Sequence, residues 1–101
     1  MSKNIFVVVL RYIVGIEKID AARPAHIDFL KKYYAEGVFF SSGRQTPGSG
    51  GVILAHANNR ETLMTILHHD PFYTERLAEY QVFEFTPTNS SKSFSEFMEQ
   101  L

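Results

Sequence analysis

Val38-Phe39-Phe40-Ser41-Ser42, Gly43-Arg44-Gln45-Thr46-Pro47-Gly48-Ser49-Gly50-Gly51 and Val52-Ile53-Leu54-Ala55 follow one another in the stretch on which the fold turns. Two short runs rich in β-branched and aromatic residues flank a segment holding four of the chain's six glycines. This pattern predicts two antiparallel strands joined by a hairpin connection. Upstream, Ile5-Phe6-Val7-Val8-Val9-Leu10 is a continuous apolar run suited to a strand buried on both faces. Arg11 and Tyr12 follow on opposite sides, because side chains alternate along a strand.

Between these runs, Asp20 to Glu36 predicts a helix, with Pro24 in its first turn and Gly37 just past its end. His26, Phe29, Leu30 and Tyr33 fall at i, i+3, i+4 and i+7, which places the histidine on the inward stripe. Downstream, Asn58 with Glu61 predicts the cap of a helix carrying Leu63, Ile66 and Leu67. Asp70-Pro71 breaks that helix and caps a short one through Leu77, and Tyr80 to Phe85 alternates as a strand.

The order βαββαβ with right-handed crossovers predicts an α+β, ferredoxin-like fold: a four-stranded antiparallel sheet with both helices on one face. The strands carry apolar residues on both sides, so the other face needs a cover. A second copy's sheet is the simplest cover, and a homodimer is expected, with each pocket framed by a sheet the other copy completes. After Pro87 the composition shifts. Thr88-Asn89-Ser90-Ser91 reads as a linker, and Ser93 with Glu96 as the cap of a helix whose stripe is Phe94, Phe97, Met98 and Leu101. The expected division is a domain over 1–88 and a linker with an amphipathic helix over 89–101. That stripe is expected to bury on its own domain or on the dimer mate, where it offers a route to higher oligomers.

Composition narrows the function classes. A chain of 101 residues, 45% apolar, supports one core and not two. Ten Lys and Arg against eleven Asp and Glu give a net charge of −1, which removes the global electrostatic argument for nucleic acid. No cysteine means no disulfide frame, thiol nucleophile or Cys-ligated metal. The longest apolar run is far short of the ~20 residues a spanning helix needs. A cytoplasmic protein without membrane partners is expected.

His26 is the first chemical candidate, because histidine titrates nearest neutral pH. On residues alone, a core histidine with one satisfied hydrogen bond is the preferred account. Asp70 before Pro71 is a good helix cap, and only the fold can bring it to His26; a carboxylate bonded to the imidazole would fix its tautomer. His68 and His69 are neighbours, not an i, i+4 chelating pair, and His56 ends a strand, so no metal site is expected. The glycine stretch lacks a phosphate-loop lysine, since Ser49 stands in its place. Ser41, Ser42 and Arg44 lead out of the sheet and suit an anionic or carbonyl group.

Arg23-Pro24-Ala25-His26, Ser42-Gly43, Gly50-Gly51-Val52-Ile53, Asp70-Pro71-Phe72 and Tyr80-Gln81-Val82-Phe83-Glu84-Phe85 together resemble the YCII-related family of the dimeric α+β barrel superfamily. The resemblance covers about residues 3 to 88. It implies a ferredoxin-like protomer, a homodimer with facing sheets, and a pocket with a His–Asp pair at His26 and Asp70. Members of that family are similar in fold to muconolactone isomerase, and some are dehydrochlorinases of chlorinated aromatics. The implied function is a cofactor-independent isomerase or lyase acting on a small cyclic or carbonyl-containing molecule. His26 would move the proton, Asp70 would orient it, and Ser42, Gly43 and Arg44 would hold a polar substrate group. Tyr12 and Phe72 would wall the pocket. The competing class is a non-catalytic module that binds or senses a small ligand, and a metal- or haem-dependent relative is a third.

Overall fold

A computed structural model describes residues 4–101. In chain order the elements are β1 (Ile5–Tyr12), α1 (Ile16–Ala35), β2 (Phe39–Arg44), β3 (Gly50–His56), α2 (Arg60–Leu67), α3 (Pro71–Thr74), β4 (Ala78–Phe85) and α4 (Lys92–Glu99). The strands form one antiparallel sheet in the order β2-β3-β1-β4, the ferredoxin-like arrangement that the βαββαβ order predicts. The apolar run of β1 takes a central position, with Val7 opposite both Leu54 and Phe83.

Alternation sorts β1 into two faces. Phe6, Val8 and Leu10 join Ile53 and Ala55 beneath Ile19, Phe29, Leu30 and Tyr33 of α1 and Leu63 and Leu67 of α2. Each such buried side chain contributes about 1.5–3 kcal/mol, and this layer is the core. The opposite face carries Val7 and Val9 half-buried, and Leu54, Phe83 and Phe85 exposed. In β2 the register shifts between Phe39 and Ser41, which pair with the consecutive residues Ala55 and Leu54. Phe40 is the extra residue of this bulge. It stacks on His56 at 5.4 Å and meets Phe97 of α4 edge-on at 4.9 Å. The tail helix therefore seats on its own chain, its stripe of Phe94, Phe97, Met98 and Leu101 half-buried.

Several helix boundaries differ from their sequence signals. α1 begins at Ile16, a full turn before Asp20, so Pro24 lies inside the helix and not in its first turn. An interior proline costs about 3 kcal/mol. The added turn is anchored by Ile19, which is completely buried, so tertiary packing outweighs the local penalty. The cap of α2 is Asn59, not Asn58, because Asn59 accepts the Thr62 N–H. The cap of α4 is Ser91, not Ser93, because Ser91 accepts the Phe94 N–H. α3 stops at Thr74, short of Leu77; Arg76 then takes a left-handed backbone (φ 57°).

The hairpin connection has one strict steric requirement. Gly50 pairs with Arg11, and a Cβ there would lie 1.7 Å from the Leu10 carbonyl oxygen. A Cβ on Gly43 meets nothing within 4 Å. Gly50→Ala is therefore expected to lower unfolding free energy in urea by roughly 3 kcal/mol or more, whereas Gly43→Ala stays within about 0.5 kcal/mol of the parent. Equal midpoints for the two variants would show that β1 and β3 do not approach this closely.

Candidate functional site

The site begins at the short connection between α2 and β4. Asp70 caps α3, its Oδ1 accepting the Phe72 N–H at 3.0 Å. The same Oδ1 lies 2.7 Å from Nδ1 of His26, which projects from the inward stripe of α1. The other oxygen, Oδ2, accepts the Tyr80 hydroxyl from β4. Asp70 is completely buried, and three elements converge on its two oxygens.

Protonation follows from the partners. A carboxylate taking N–H and O–H bonds on both oxygens is an acceptor, so the bond from His26 is an Nδ1–H donation. Burial, and then the charge of Asp70, push the Tyr80 hydroxyl well above the usual tyrosine range, so it remains a donor through neutral pH. The imidazole is sandwiched in place: its ring stacks on Phe72 with centroids 3.9 Å apart and planes 4° from parallel. Tyr12 meets the edge of Phe72 at 5.9 Å. No buried side-chain polar atom among the described residues lacks a partner, and Nε2 of His26 has none, so Nε2 is open to the adjacent cleft.

That cleft lies between α1 and the sheet and offers about 120 Å³. A cavity of ~150 Å³ holds benzene, so this smaller space takes part of a ring, the rest lying in the open mouth of the cleft. Leu10, Leu30 and Ile53 form its apolar walls; Tyr12, Arg23, His26, Ser42 and Arg44 bring polar groups. Ser42 pairs with Ile53 in the register and so points to the helix-covered side, where its hydroxyl bonds to that of Tyr34. Of the sequence candidates, His26, Ser42, Gly43, Arg44, Tyr12 and Phe72 line this one cleft, and Asp70 stands directly behind His26.

The other histidines lie apart. His56 bonds to the Gly37 carbonyl at 2.9 Å, His68 stacks on Tyr73, and His69 is exposed. Among the described residues no group of three His, Cys, Asp or Glu side chains is placed to hold a metal ion. No helix there is long and apolar enough to cross a membrane.

Three site residues escaped sequence reasoning: Arg23, Tyr34 and Tyr80. Signals for two of them were present. Arg23 lies three residues before His26, hence on the same helix face. Tyr80 is out of phase with Phe83 and Phe85, so strand alternation sends it to the helix side, opposite Leu10.

Solved structures share this fold. The 5-chloro-2-hydroxyhydroquinone dehydrochlorinase TftG from Burkholderia phenoliruptrix, in complex with 2,5-dihydroxybenzoquinone, superposes with a TM-score of 0.69 at 15% identity, over 88% of this chain and 97% of that one. A dimeric ferredoxin-like protein from an uncultured marine organism gives 0.55 at 16% identity, over 90% and 100%. SnoaB, a cofactor-independent oxygenase from Streptomyces nogalater, gives 0.53 at 13% identity, over 91% and 99%. At these identities the likeness establishes fold alone. No curated protein sequence matches the chain significantly. The sequence model of the YCII-related domain matches residues 5–86, the whole βαββαβ unit, and the chain belongs to the YCII-related family.

Proposed function

We propose that the chain is a small-molecule enzyme in which His26 is a general base and acid, oriented by Asp70, for isomerase- or lyase-like chemistry on a cyclic or carbonyl-containing substrate. The observation that carries this reading is the 2.7 Å Nδ1–Asp70 bond, which leaves Nε2 free in a small, partly apolar cleft that His26 lines. Nε2 takes a proton from an acidic C–H or ring O–H, and the bonding pair moves onto the ring or its carbonyl oxygen. Returning that proton to another carbon isomerises the substrate. Expelling a leaving group such as chloride instead completes an elimination, with loss of one proton and one anion. Both outcomes are redox-neutral, so the reading needs no cofactor. Ser42 and Arg44 hold the oxygen on which charge collects, with the Gly43 backbone leaving room beside them; Tyr12 and Phe72 wall the ring. TftG, similar in fold, was solved with a dihydroxyquinone bound, which agrees with a ring ligand.

The working unit of this reading is a homodimer. Phe83 and Phe85 are each nearly half exposed on the open face beside Leu54, and a second copy's sheet would cover them. A solved relative in fold is described as dimeric. Residues 1–88 form the domain in this view, and the linker and helix of 89–101 are an appendage resting on Phe40.

Two measurements test the chemistry. In ¹⁵N-resolved NMR, neutral His26 is expected to carry its proton on Nδ1; an Nε2–H tautomer would remove it as the base. His26→Ala is expected to lower kcat about 10²–10⁴-fold for chloride release from 5-chloro-2-hydroxyhydroquinone or for α-proton exchange of cyclic ketones in D₂O. Ring compounds bound tightly and never turned over by the parent protein would instead establish the non-catalytic binding module. For the assembly, sedimentation is expected to give twice the 11.6 kDa chain mass, and Phe83→Glu with Leu54→Glu to give the monomer. A parent protein that sediments at one chain mass at all concentrations would rule the dimer out.

A further inference from the structure

The polar lining of the cleft has one chemical character. Apart from Tyr12, the titratable side chains that line it are Arg23, His26 and Arg44, and no carboxylate lines it. Asp70, behind His26, is completely buried and spends its oxygens on His26, Phe72 and Tyr80, and Asp20 reaches the lining only through its bond to Arg23. We infer that the cleft selects a small acidic ring, a single-ring carboxylate or ionised ring hydroxyl, bound as the anion with Arg23 and Arg44 as its counter-charges. This rests on the reading of the cleft as the substrate site and adds the charge of its ligand.

Arg23 is set in position by the fold, whereas Arg44 is exposed and is placed only by the end of its strand. Arg23 is tethered from outside by Asp20, whose Oδ1 accepts from Nε at 3.3 Å and from Nη2 at 3.1 Å. That bond uses two of the five N–H donors of the fork and leaves the others for a ligand. The Arg23 side chain is only 28% exposed, so a charge it meets there is weakly screened. Arg44 closes β2, and its aliphatic stem lies against Gly48, where an added Cβ would sit 3.4 Å from its Cδ. Among the described residues the Arg44 guanidinium has no acidic partner. The planar fork of arginine matches a carboxylate or a pair of ring oxygens better than an ammonium would. Leu10, Leu30 and Ile53 supply the apolar surface that a ring requires and an inorganic anion does not.

Near-isosteric probes test the inference. Benzoate is expected to bind at least about tenfold more tightly than benzamide, a difference of ~1.4 kcal/mol, with the preference shrinking as salt rises. Chemical shifts of His26, Ser42 and Phe72 report occupancy. Arg23→Gln and Arg44→Gln are each expected to remove most of the preference for benzoate over benzamide, and Arg44→Lys to restore part of it. His26→Ala is expected to keep the preference, so loss of the proton-transfer reading and loss of this one are distinguishable. Benzamide binding as well as benzoate, a preference untouched by both Gln variants, or no shifts with benzoate at tens of millimolar would each overturn it.

Discussion

Asp70 has no exposed surface, and the arrangement around it follows from the cost of keeping a charge there. An unpaired buried carboxylate is penalised by several kcal/mol, so it persists only where donors saturate it. Here the donors come from three separate elements: His26 of α1, the Phe72 backbone of α3 and Tyr80 of β4. A four-residue helix such as α3 cannot nucleate alone, and the cap bond from Asp70 supplies one of its few local restraints. Removing any one donor leaves the other two holding a less satisfied anion, a loss of about 1–3 kcal/mol. The carboxylate that locks the imidazole thus also holds the packing of α1 against α3 and β4, and positioning and stability cannot be varied independently at this residue.

The same logic accounts for what could be read from the sequence. The two β-rich runs around the glycine stretch, the inward stripe of α1 and the Asp70-Pro71 break are local patterns, and the sheet and both crossover helices follow from them. His26 was identifiable as an inward histidine, but its meeting with Asp70 is a contact between residues 44 apart, which no periodicity encodes. Only the likeness to a known family linked the pair in advance. Tyr80 was hidden because a tyrosine on the helix side of a strand looks like core until its hydroxyl finds a partner. Arg23 was hidden by the misplaced helix start: with Asp20 taken as the first residue, Arg23 belongs to a frayed first turn. In the fold that turn is interior, and Ile19 pins it to the core. The caps at Asn59 and Ser91 missed their signals by one and two residues because neighbouring polar residues offer near-equal alternatives, and tertiary packing, the burial of Leu63 and the contact of half-buried Phe97 with Phe40, favours the observed ones.

The sheet divides the molecule's tasks between its faces. The helix-covered side contains the His26–Asp70 pair and the cleft, whereas the open side presents Leu54, Phe83 and Phe85 and seats α4 through Phe40. β2 belongs to both, since Ser42 points to the cleft and the neighbouring Phe40 bulge points to the tail helix. The bulge is what lets Phe40 and Ser42, two residues apart on one short edge strand, face different layers. The position of Arg44 at the end of that strand is therefore coupled to how the open face is packed, because a shift in the bulge register moves the residues that follow it.

For the proposed reaction, the cations of the cleft and the base have complementary roles. Taking a proton from a neutral ring creates charge on its oxygen, and taking one from an anionic ring adds a second negative charge. The Arg23 guanidinium, already held by Asp20, would meet that charge with little reorganisation, which favours the transition state over the bound ground state. The neutral imidazole, with Nδ1–H committed to Asp70, becomes a cation as the substrate gains its negative charge, and Asp70 stabilises it from behind. The charges then alternate from the Asp70 carboxylate through the imidazolium and the substrate oxygen to the guanidiniums. Each step of that sequence brings opposite charges together, which is how the proposed proton transfer to His26 would be stabilised.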